Sequence, residues 1–132
     1  MDVALQQIRE FTLALRDNRE TLVVQDASKA TYWRKRGRKD GTIDWRMSSR
    51  SIYNLVRALS KPYPGAEFVF QDNYYGVERT TEHSTAIAAN LEPGKVLQID
   101  GNRMLVKCGG ESAIWLEEHA FDVTAVKEGE YL

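Results

Sequence analysis

The segment Lys61-Pro62-Tyr63-Pro64-Gly65 constrains this chain most, because no regular element runs through it. Each proline pushes the residue before it out of the helical region, and the glycine frees the backbone to turn. On the N-terminal side of this corner the apolar residues recur at helical spacing, and on the C-terminal side they recur at strand spacing. Helices are therefore expected before the corner and a sheet after it.

Before the corner, Ala4, Ile8, Phe11 and Leu15 form one stripe with Leu5 beside them. They predict an amphipathic helix from Asp2 to Asp17, with Asp2 as its cap. Ile52, Leu55, Val56 and Leu59 form a second stripe, and Ser48 and Ser49 offer cap residues, so a helix is predicted from Ser49 to Leu59. Between them, Thr21 to Val24 suit a short extended piece. Residues 25–42 are polar, basic and glycine-punctuated, which reads as a loop or linker.

After the corner, AEFVF (66–70), YYGVERT (74–80), KVLQI (95–99), RMLVK (103–107) and SAIWLE (112–117) read as five strands. Asp100-Gly101 between two apolar runs is a hairpin signal whose central residues need positive φ. The expected fold class is α+β, mainly β: two helices plus a five-stranded antiparallel barrel, closed, of the oligonucleotide/oligosaccharide-binding (OB) type.

A length of 132 residues suits one ordinary domain, or a small domain with a piece of another attached. The net charge of −1 hides a division. Residues 1–61 carry 13 basic and 7 acidic side chains, a net of +6, whereas residues 62–132 carry 5 and 12, a net of −7. The single cysteine, Cys108, is what a reducing compartment permits, and no apolar run approaches the roughly 18 residues of a membrane span. The expectation is a cytoplasmic protein with no membrane partner.

No catalytic constellation stands out. His83, His119 and Cys108 lack the paired spacing of a zinc site, no serine sits in a nucleophile elbow, and the glycines make no phosphate loop. Cys108 reads as a core or edge residue, and both histidines read as surface groups. The concentrated feature is YWRKRGRK, where Arg34, Lys35, Arg36, Arg38 and Lys39 follow Tyr32 and Trp33. Such a run is a solvated loop, a nuclear address, or a site where rings stack on a base and guanidinium forks meet phosphate oxygens.

The order ATYWRKR, DGTIDW, SSRSIYNLVRAL, KPYPGA and EPGKVLQIDGNRMLVKCGGESAIWL resembles the C-terminal portion of the folate-dependent formyltransferases over residues 1–118. That family includes methionyl-tRNA formyltransferase and the enzymes that N-formylate nucleotide-linked amino sugars. The resemblance implies that residues 1–24 correspond to the terminal helix and tail of an N-terminal catalytic domain, 25–47 to a basic linker and 48–132 to an OB-like C-terminal domain. It implies 10-formyltetrahydrofolate as the formyl donor of the complete enzyme, with no cofactor bound by this chain. The family's catalytic Asn, His and Asp have no counterpart here, so no catalytic or metal-binding residue is carried over. A formyltransferase catalytic domain, or a second copy of this chain, is the implied partner. The acidic second half favours a nucleotide-sugar acceptor over tRNA, because a tRNA-holding surface is expected to be basic. Tyr32, Trp33, Arg34, Lys35 and Arg36 are the expected acceptor and phosphate contacts. The alternatives are the C-terminal domain of a methionyl-tRNA formyltransferase and a stand-alone OB-like binding or oligomerisation module.

Overall fold

The computed structural model describes residues 2–132. The chain forms two compact units, one ending at Arg34 and the other running from Lys35 to Leu132.

The first unit is built on helix α1, Asp2–Arg16, which buries none of its residues. Asp2 lies inside its first turn. Asn18 takes a left-handed φ of 50° just past the helix, and Arg19 N–H donates to Ala14 O at 2.8 Å, closing the last turn. Residues 21–24 form no strand. A short 3-10 turn, Ala27–Lys29, is capped by Asp26, whose Oδ1 accepts from Ser28 N–H at 3.0 Å.

The second unit opens on the basic run. Arg38–Gly41 is a 3-10 turn in which Asp40 Oδ2 accepts from Gly37 N–H at 2.8 Å. Helix α2, Ser49–Ala58, follows; Ser48 is its N-cap, with its hydroxyl accepting from Ser51 N–H at 3.2 Å. Ile52 and Val56 are buried, and Leu55 and Leu59 pack against the same core, as the stripe predicted.

Five antiparallel strands then make one sheet: β1 (Ala66–Phe70), β2 (Asn73–Glu82), β3 (Val96–Asp100), β4 (Arg103–Lys107) and β5 (Ala113–His119). Their order is β1-β2-β5-β4-β3. The α+β class holds, but the expected closed barrel does not form, since β1 and β3 are the two ends of the sheet and no ladder joins them. The physical reason is that both edges are occupied by other segments. Thr42 bridges Glu67 on β1, with Ile43 N–H donating to Glu67 O at 2.7 Å. On β3, Val96 N–H donates to Glu130 O and Val96 O accepts from Gly129 N–H, both at 2.8 Å, and Lys95 bridges Tyr131. Covering an edge in this way removes the template that closure would otherwise use.

The hairpin turns also depart from expectation. At 100–103 only Gly101 has positive φ, 60°, which suits a turn with glycine at its first central position. The turn with two left-handed residues joins β1 to β2, where Gln71 (φ 47°) and Asp72 (φ 63°) take that conformation without glycine.

Phe68 lies at the centre of the core, its ring centroid 5.7 Å from Trp45, 5.7 Å from Tyr75 and 5.5 Å from Phe121. Lys107 is wholly buried, and its ammonium donates to Cys108 O and Gly110 O, both at 2.5 Å. Those two carbonyls replace the water that a buried charge loses.

Candidate functional site

The five residues expected to contact phosphate are divided between the units: Tyr32, Trp33 and Arg34 fall in the first, Lys35 and Arg36 in the second. Tyr32 and Trp33 are 94% and 88% exposed. In the compact unit, Arg36 lines a groove of about 810 Å³ together with Gly37, Arg38, Asp40, Gly41, Ala58, Leu59, Tyr63, Pro64, Gly65 and Glu67. The groove is thus built from the 3-10 turn, the end of α2, the proline corner and the start of β1. Its walls are packed closely enough that a Cβ on Gly41 would lie 3.1 Å from both Gly65 O and Leu59 Cδ1. A smaller depression of about 320 Å³ shares Leu59, Tyr63, Pro64 and Gly65. A third, of about 500 Å³, lies over Ile43, Trp45, Val69 and Pro93.

The two groove-lining arginines differ in their electrostatics. Arg38 forks onto Glu67, with Nε–Oε1 at 2.6 Å and Nη2–Oε2 at 2.8 Å, and its guanidinium lies 4.1 Å from the Tyr74 ring centroid. The hydrogen bond to Glu67 raises its pKa further above the usual value. Its charge is therefore matched within the fold. Arg36 forms no ion pair with a carboxylate among the described residues, and the Asp40 carboxylate lines the same groove. Lys35 and Lys39 are exposed on the same run.

The remaining nucleophilic and imidazole groups lie elsewhere in the fold. Cys108 is wholly buried, and burial pushes its thiol up to about 12. His83 and His119 are half-buried, which corrects the expectation of two surface groups. Pairing of β2 with β5 draws His119 inward, and its Nδ1 accepts from Phe121 N–H at 3.3 Å. Among the described residues no group of three or more His, Cys, Asp or Glu is placed to hold a metal, and no helix is long and apolar enough to cross a membrane.

Sequence reasoning missed Ala58, Leu59, Tyr63, Pro64 and Glu67 as groove residues. The proline corner signalled a change of element, and nothing in it marked a wall facing Arg36 from more than one side. A comparison with protein families completes the description: the family model for the formyl transferase C-terminal domain matches residues 36–128. The match begins at Arg36 and spans the groove, α2 and the whole sheet.

Proposed function

The chain belongs to the formyl transferase C-terminal domain family, and on that premise we propose that it is the acceptor-binding part of a folate-dependent N-formyltransferase acting on a nucleotide-linked amino sugar. Its partner on this reading is a formyltransferase catalytic domain. The donor, 10-formyltetrahydrofolate, belongs to that domain. Within this chain the Cys108 thiol is buried and Lys107 is committed to two backbone carbonyls, so neither is proposed to attack it. No step of the transfer is assigned to this chain.

The observation that carries the choice of acceptor is the distribution of charge. Residues 35–61 hold 8 basic and 2 acidic side chains, while residues 62–132 are net −7. Phosphate contacts supply most of the affinity for a long polyanion, and tRNA would have to lie along an acidic sheet. A diphosphate needs only a local basic segment. Tyr32, Trp33, Arg34, Lys35 and Arg36 are the residues proposed to supply it, as guanidinium forks and a lysine point charge beside two stacking rings.

The test is equilibrium binding of a UDP-linked amino sugar and of initiator tRNA to the full chain at low and moderate salt. The sugar nucleotide is expected to bind and the tRNA to bind only as non-specific polyanion, released as salt rises. Salt-resistant tRNA binding, with no affinity for the sugar nucleotide, would assign the chain to the tRNA branch of the family. In the first case, Lys35→Ala with Arg36→Ala weakens the sugar nucleotide about tenfold or more, because two charge-assisted contacts are lost.

A further inference from the structure

We propose that the groove beside the proline corner holds the nucleoside of the same nucleotide whose phosphate meets Arg36, so that residues 35–132 contain a nucleoside diphosphate site. The inference rests on the phosphate reading above and adds a subsite to it.

The groove's volume, about 810 Å³, is that of a small-molecule site, which typically spans roughly 300–1,000 Å³. A pair of phosphates alone needs only a cationic surface. The wall chemistry points the same way. Arg38 is matched by Glu67, whereas Arg36 forms no ion pair with a carboxylate among the described residues, so Arg36 is the charge the groove offers to an anion, with the Asp40 carboxylate also in its lining. The remaining lining is different in kind. Tyr63 is 63% exposed and stands beside Pro64 and Leu59 in the same groove, an aromatic face with aliphatic neighbours. A base stacks on such a surface whatever its hydrogen-bonding edge, whereas a free phosphate or pyrophosphate would leave it wet. The close approach of Gly41 to Gly65 and Leu59 packs the two walls directly against each other. Walls packed in this way leave little to order on binding.

The experiment is calorimetric titration of the full chain with UDP, dTDP, CDP, GDP, ADP and inorganic pyrophosphate, followed by three variants. At least one nucleoside diphosphate is expected to bind more than tenfold more tightly than pyrophosphate, since a stacked base adds about 1–3 kcal/mol. Tyr63→Ala then weakens that nucleotide about tenfold and leaves pyrophosphate unchanged, while Tyr63→Phe, which keeps the ring, restores it. Arg36→Ala weakens nucleotide and pyrophosphate alike. Circular dichroism melts show that each exposed-site variant keeps the parent's fold. If Arg36→Ala weakens the nucleotide and Tyr63→Ala does not, the subsite is wrong and the phosphate reading stands. If no diphosphate binds better than pyrophosphate, the subsite is likewise wrong. If neither nucleotide nor pyrophosphate binds, both readings fall.

Discussion

Helices α1 and α2 carry similar apolar stripes and end in different circumstances. Ile8 on α1 is 59% exposed and Phe11 is 62% exposed, while Ile52 on α2 is wholly buried and Val56 is 3% exposed. Amphipathic spacing therefore identifies a helix and the face it has available, but not what covers that face. α2 is covered because the chain around it is pinned. Ser48 caps it, Ser49 N–H donates to the Ser112 hydroxyl at 3.0 Å, and Gly109 N–H donates to Met47 O at 2.8 Å. The stripe then lies on the sheet as part of one core with Phe68, Val77 and Leu116.

The comparison is broken most directly by paired truncation. Ile52→Ala is expected to cost about 2–5 kcal/mol of unfolding free energy in urea titration, the range for deleting a buried branched side chain. Ile8→Ala is expected to stay within about 0.5 kcal/mol, as for other exposed positions. Equal losses would mean that the two helices are held alike.

The next effect concerns what pins α2. A Cβ on Gly109 would lie 2.1 Å from Arg46 O, so Gly109→Ala forces the turn before β5 away from the segment leading into α2. A loss of about 2–3 kcal/mol is expected by thermal melting, comparable to overpacking a core. Ser48→Ala removes the cap alone and should cost about 1 kcal/mol.

The smallest effect is at the turn before the helix. Asp44 is held down to about 2, first by the side-chain hydrogen bond from Arg46 and then by Arg46 N–H. A carboxylate with a depressed folded pKa adds stability above its unfolded value near 3.9, and that contribution disappears as pH falls through about 2. The pair is exposed, so screening keeps the term below that of the cap. Asp44→Asn should flatten the pH dependence of stability between about 4 and 2 and lower stability at neutral pH, by less than Ser48→Ala does.

Most of the elements were legible in the residues, because the corner at Pro62–Gly65 forces the change of period and α2 and the β1 and β4 strands follow at once. Closure was not. Whether β1 meets β3 depends on Thr42 and residues 129–131 reaching the sheet edges first, and those residues have no strand pattern of their own. A turn at Gln71 to Asn73 follows from the break between the two strand runs, but its left-handed conformation does not, for a related reason: Gln71 and Asp72 are ordinary side chains, held there by the pairing of Phe70 with Asn73. Lys107 ends the RMLVK run, and only the carbonyls of the following turn make its burial possible. For the site, charge density drew attention to the basic run, and Arg36 does line a groove. The opposite wall comes from Ala58, Leu59 and the corner, more than 20 positions away along the chain, and local pattern carries no such juxtaposition.

Hydrogen exchange by mass spectrometry on the full chain, with and without the tightest-binding nucleoside diphosphate, tests the central claim most directly. Without ligand, α1 should exchange rapidly, since an isolated helix of about 15 residues is marginal in water, and α2 and the central strands should exchange only on global opening. With ligand, added protection should fall on residues 35–41 and 58–67, the two walls of the groove. An α1 as slow as α2 before ligand is added, or ligand protection confined to β3 and β4, would contradict the account.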